Sequence, residues 1–215
     1  MTYLDLVNNV LRRLRERPVE SVDQTEYSRL IGIFVNDAKE LIENSWNWSA
    51  LRTTLTATTT QGIFSYELNG SQNRFTVLDV INDTENVVMR YKEAHSFNKL
   101  FLTTDVTEAA PYYYSFNGIS SDGDTQVDLF PIPDGVYQIR FNVVQRQPFL
   151  EENADVIDIP SYPVQTMAYA FAVEERGEDG GFNPASAMSV AQNALKDAIA
   201  FDADKHPEET IWHFV

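Results

Sequence analysis

The chain has no cysteine among its 215 residues, which excludes disulfide staples, thiolate nucleophiles and Cys-ligated zinc. Histidine is scarce, at three residues, and His95, His206 and His213 lie in unrelated contexts. No HExxH, no GxSxG, no glycine-rich phosphate loop and no GxGxxG after a strand occurs, so the sequence offers no catalytic residues, no cofactor cradle and no metal-ligand set. Asp122, Asp124, Gln126 and Asp128 alternate in a way reminiscent of a calcium loop, yet the glycine at the sixth position and the closing glutamate are missing. No apolar run is long enough to cross a bilayer. The start, MTYLDLV, enters a helical pattern without the basic region, apolar run and small-residue cleavage site of a secretory signal. A soluble chain made and acting in a cytoplasm is the simplest expectation.

Positive charge is also in short supply, with 16 Lys and Arg against 32 Asp and Glu and a formal net charge of −16. Residues 1–52 carry 7 basic and 8 acidic groups, residues 53–150 carry 6 and 11, and residues 151–215 carry 3 and 13. Acid is therefore concentrated toward the C-terminal end. Tight binding to a nucleic-acid backbone needs clustered Lys and Arg, so this balance argues against it. Two readings stay open: a wall past which DNA slides, or a surface that simply keeps the protein in solution.

What the chain does have is helical periodicity at both ends. From Gln24 to Leu51, Tyr27, Ile31, Phe34, Ala38, Leu41, Ser45 and Trp48 recur at steps of four and three, and Leu30, Val35, Ile42 and Trp46 widen the stripe. This predicts one amphipathic helix about 40 Å long, capped by Asp23 with Glu26 or by Ser21 with Gln24. Gly32 is discordant inside it, at a cost of about 1 kcal/mol, and close approach of another backbone would account for it. Before it, Tyr3, Val7, Val10 and Leu14 mark a first helix that ends in Arg12, Arg13, Arg15 and Arg17 ahead of Pro18. Those arginines either complement the helix dipole on a solvated face or accept acidic groups of a neighbouring subunit. After Pro160, Val164, Met167, Ala168 and Phe171 predict a helix stopping at Gly177, and Asn183 with Pro184 opens an alanine-rich last helix bearing Met188, Ala191, Leu195, Ala198 and Ile199. Glu174, Glu175, Glu178 and Asp179 place acid at a helix C-terminus, the unfavourable end. They read as a solvated face or as a subunit contact.

Between the helices the pattern switches to period two. Thr53 to Thr60, Phe64 to Leu68, Phe75 to Ile81, Val87 to Tyr91, Pro111 to Phe116, Val127 to Phe130 and Tyr137 to Val143 all read as strands. A meander is the simplest arrangement, with a short helix over Glu93 to Leu102 turning Phe97, Leu100 and Phe101 inward. The expected class is α+β: an antiparallel four-helix bundle from 1–52 and 159–205, an inserted, mainly antiparallel β domain over 53–158, and an extended tail at 206–215. The tail ends in Ile211, Trp212, Phe214 and Val215, apolar side chains where a terminus is usually polar. It either folds back on its own bundle or inserts into another subunit or protein as an aromatic-anchored peptide.

Several stretches together resemble the head-to-tail adaptor proteins of tailed bacteriophages, the group that includes tail tubular protein A: YLDLVNNVLRRL, FVNDAKELIENSWNWSALR, FTVLDVINDTENV, IPDGVYQIRFNVVQR and ERGEDGG before an alanine-rich helix. The resemblance spans most of residues 3–205 and carries no catalytic residue. It implies a virion structural protein, assembled in the bacterial host cytoplasm and forming a dodecameric ring beneath the portal protein. A tail or nozzle protein docks below, and DNA passes through without specific binding. No cofactor and no membrane are implied, and the free protein is compatible with a monomer. It also implies a portal-directed C-terminal extension, which would give Ile211, Trp212, Phe214 and Val215 a partner. Arg12, Arg13, Arg15 and Arg17 against Glu174, Glu175, Glu178 and Asp179 form a candidate pair between subunits, or within one. Against the ring adaptor stands a β-sheet module that binds a glycan or peptide through an aromatic patch such as Tyr112 to Tyr114. An enzyme would need a pocket of perturbed ionisable groups, for which the sequence offers nothing.

Overall fold

The computed structural model describes residues 1–102, 108–177 and 183–205. The fold is α+β, and its contacts group into two units: Met1–Leu51 with the chain from Gln147 onward, and Arg52–Arg146.

The helical unit begins with α1 (Tyr3–Arg13), held at its start by a reciprocal box in which Asp5 N donates to Thr2 Oγ1 at 3.2 Å and Thr2 N donates to Asp5 Oδ2 at 3.3 Å. It buries Leu6, Val7, Val10 and Leu11. The second helix, α2 (Glu26–Ser45), is shorter than the periodicity predicts. Neither expected cap opens it. Ser21 caps a short 3₁₀ turn over Val22–Gln24, and Thr25 caps α2 through a box with Ser28, whose hydroxyl also donates to the Val22 carbonyl at 2.7 Å. At the far end Trp46 is extended, and the chain folds Trp48 back beneath the helix, fully buried. The Trp48 indole and the Ser45 hydroxyl both donate to the Ile42 carbonyl, at 2.8 and 2.7 Å, satisfying an acceptor of the last turn and closing the helix there. At 20 residues α2 spans about 30 Å, not 40. Gly32 is explained by side chains and not by a backbone: a Cβ there would strike the Tyr3 hydroxyl and stand 2.9 Å from Val22 Cγ1.

Two helices follow the β unit. The first, α4 (Ser161–Arg176), stops at Gly177 with φ +68°, and α5 (Pro184–Ala203) opens with Ser186 N donating to the Asn183 side chain at 3.0 Å. The central helix is α4: it packs on α1, α2 and α5, with Val164, Ala168, Ala172 and Val173 wholly buried. The strand-to-helix return over 147–160 belongs to this unit, although the expected boundary lay at 158. Its backbone is stitched to α1 and α2. Asn36 exchanges two hydrogen bonds with Leu150, and the Lys39 ammonium donates to the Gln147 and Pro148 carbonyls at 2.8 and 3.0 Å. Tyr3 N donates to the Asp155 carbonyl at 2.7 Å. Lys39 and Glu43, both buried, pair at 3.0 Å one turn apart on α2.

The β unit holds β1 (Arg52–Thr58), β2 (Ser65–Leu68), β3 (Phe75–Asn82), β4 (Val87–Val88), β5 (Arg90–Tyr91), the short helix α3 (Ala94–Asn98), β6 (Tyr113–Ile119), β7 (Thr125–Phe130) and β8 (Gln138–Gln145). It is not a meander. The strands form two four-stranded sheets, ordered β1-β8-β3-β4 and β2-β7-β6-β5, antiparallel except for β5 beside β6. The last strand enters the middle of its sheet because Ile139, Phe141 and Val143 give it a wholly apolar inner face. The run Val87 to Tyr91, expected as one strand, changes sheet at buried Met89. Val80, Tyr114, Val127, Leu129, Phe141 and their neighbours fill the space between. Phe97 of α3 is buried as expected, against Phe101 and Phe130.

Candidate docking surfaces

The basic end of α1 presents Arg12, Arg13, Arg15 and Arg17 to solvent. Arg12 donates to Asn9 Oδ1 at 3.2 Å, and the Arg13 guanidinium lies 5.9 and 6.0 Å from the Tyr162 and Tyr169 ring centres. Glu174 and Glu175 are likewise exposed on the last turn of α4. Among the described residues no ion pair joins these two groups within the chain. Glu178, Asp179, Ile211, Trp212, Phe214 and Val215 lie outside the described residues.

The contact that does tie the end of α1 to the end of α4 has the opposite polarity, and the sequence reading missed it. Arg176 pairs with Glu16 at 2.6 Å, donates to the Tyr27 hydroxyl at 2.6 Å and to the Leu14 carbonyl at 3.3 Å, and covers the Tyr27 ring at 4.7 Å. A lone arginine before a glycine looks like a dipole complement; only the fold shows that it clamps two other helices.

Turned away from α1, the seam between α2 and α4 forms a shallow groove of about 450 Å³ lined by Phe34, Asp37, Phe171, Glu174 and Glu175. Phe34 and Phe171 meet edge-on, 6.3 Å between ring centres. Ile33, 56% exposed, and Leu41, 43% exposed, continue the apolar surface along α2. In the β unit a second cleft of about 620 Å³ is lined by Phe75, Val77, Tyr91, Tyr114, Phe116 and Ile119 among others. Of the expected Tyr112 to Tyr114 patch, only Tyr114 reaches this cleft.

The acidic alternation at 122–128 has structural employment. Asp124 accepts from the Gly70 and Gln72 amides at 2.9 and 2.8 Å, which hold its carboxyl below the usual range and close the turn after β2. Asp128 is buried opposite Ser115, and burial raises its pKa. Among the described residues no group of three or more potential ligands is placed to hold a metal ion, and no helix is long and apolar enough to cross a membrane.

Another buried acid went unnoticed in the sequence. Asp202, 3% exposed near the end of α5, accepts from Trp46 Nε1 at 3.2 Å, Ser49 N at 2.9 Å and Ser49 Oγ at 2.5 Å, and pairs with Lys205 at 3.1 Å. Burial opposes its ionisation, but these donors outweigh it and hold the carboxyl down at about 2.

Exposed charge and shallow grooves at helix seams are surfaces open to contact with other molecules. The chain belongs to the SU10 adaptor protein family, whose model matches residues 1–208. It is thus a structural component of the bacteriophage head-to-tail junction. No curated protein matches the chain.

Proposed function

We propose that the chain forms a ring, a dodecamer in the virion, that joins the portal protein to the tail or nozzle protein and continues the channel for DNA. In this role it corresponds to tail tubular protein A of short-tailed phages. The observation that carries the reading is membership of an adaptor family along nearly the whole chain. Exposed Ile33, Leu41, Tyr162, Val190 and Phe201 on the helical unit suit burial against neighbours. The net charge of −16 limits adhesion of passing DNA. Residues 1–51 and 147–205 act as the scaffold and 52–146 as the inserted β domain, and the C-terminal tail supplies Ile211, Trp212, Phe214 and Val215 as anchors for portal grooves. Assembly takes place in the host cytoplasm, and a free chain is a monomer until the portal collects it.

The test is to mix the purified chain with isolated portal rings and image the product. A ring of copies seated on the portal is expected. A chain lacking Glu208 to Val215 keeps its circular dichroism and loses portal binding; undiminished binding by the truncated chain overturns the tail's role. The second reading, a glycan- or peptide-binding β module, rests on the cleft around Tyr91, Tyr114 and Phe116. It predicts a chain that ignores portal rings and is retained by an immobilised glycan or peptide.

A further inference from the structure

The groove between α2 and α4 and the basic end of α1 lie on opposed faces of the helical unit, as two helical phases show independently. On α2, Gly32 faces Tyr3 of α1, and at 100° per residue Phe34 stands about 200° further round. On α4, Tyr169 lies beneath the Arg13 guanidinium of α1, while Phe171 is again about 200° away and Glu174 about 140°. A chain therefore turns its arginines away from its own groove, and another copy is free to place its arginines there.

The two faces also match in chemistry. The groove carries Asp37, Glu174 and Glu175 around an aromatic floor, with no cation among the described residues of its lining. The end of α1 carries four arginines, and the one acid among them, Glu16, is taken by Arg176. Within a chain of net charge −16 this is the densest cluster of cations.

We propose that a second copy of this chain seats the basic end of its α1, through Arg12 and Arg17, in the α2–α4 groove. Arginine suits the place because its guanidinium stacks on aromatic rings while its fork of donors meets carboxylates. The contact joins unlike faces, so each copy keeps one of each free, and the chain of contacts closes into a ring at a fixed rotation. The inference rests on the ring reading and specifies which surfaces make it.

Charge reversal tests it. One altered chain carries Glu174→Lys and Glu175→Lys; lysine in the last turn of α4 suits the helix dipole, so folding is preserved. The other carries Arg12→Glu and Arg17→Glu. Sedimentation and imaging on portal rings should show each alone associating at least about tenfold more weakly than the unaltered chain. An equimolar mixture should recover, because each supplies the charge the other lacks.

Full assembly by either altered chain alone overturns the contact and leaves the ring reading standing. So does a mixture that stays dispersed while both chains show native circular dichroism. If the unaltered chain forms no ring on the portal, the functional reading fails and this inference falls with it. If the lysine variant assembles normally but loses retention of a basic partner protein, the groove serves that partner and the proposal is overturned.

Discussion

Asp202 is the sharpest test of how the fold is held. Replacing it with asparagine keeps the shape and removes the charge that receives the Ser49 amide, the Ser49 hydroxyl and the Trp46 indole. The folded-state carboxyl sits at about 2 against an ordinary 3.8, which at about 1.4 kcal/mol per pH unit corresponds to about 2 kcal/mol of stability. Because the folded value is depressed, that contribution is complete above about pH 4 and is lost as pH falls toward 2. Asp202→Asn should therefore unfold about 2 kcal/mol more easily in urea at pH 7, and the gap to the unaltered chain should close between pH 4 and 2. Urea titrations at a series of pH values, read by circular dichroism and by the tryptophans at 46 and 48, measure both. A gap below about 0.5 kcal/mol at pH 7, or one that persists unchanged at pH 2, refutes the assignment.

Gly32→Ala should destabilise by about 1 to 2 kcal/mol despite alanine's better helix propensity, since the new methyl meets Tyr3 and Val22. Adding Tyr3→Phe should recover part of the loss in thermal unfolding. Lys39→Met removes the buried ammonium that pairs with Glu43 at 3.0 Å and should cost about 3 to 5 kcal/mol; Lys39→Met with Glu43→Leu should recover most of it, as shown by urea midpoints. Arg176→Lys keeps the charge but cannot span Glu16, Tyr27 and Leu14 together. It should cost about 1 kcal/mol, checked by comparing melting temperatures with and without Glu16→Gln.

Local signals in the sequence were reliable where one residue decides the outcome. Asn183 with Pro184 opened α5, Gly177 closed α4, and the alternation of Ile139, Phe141 and Val143 marked β8 as expected. Strand order was not legible, because pairing β8 between β1 and β3 depends on contacts across the whole insertion and leaves no local mark. The end of α2 was misjudged for a related reason. Trp48 continues the helical spacing, yet it is buried by folding back on Ile42. The arginine and glutamate clusters were visible as composition. That the arginines and the described acids Glu174 and Glu175 face apart needed the helical phases at Gly32 and Tyr169, and Arg176 and Asp202 became recognisable only once their distant partners were placed.

The position of α4 in the chain also sets an order of events during synthesis. The helix on which α1, α2 and α5 all pack is translated after the whole of Arg52–Arg146, so a ribosome-bound fragment holds α1 and α2 with their apolar faces uncovered. The β unit has no such wait, since its strands pair among themselves. A fragment stopped before Ser161 should accordingly show the insertion's cooperative unfolding without that of the helices, measurable by hydrogen exchange.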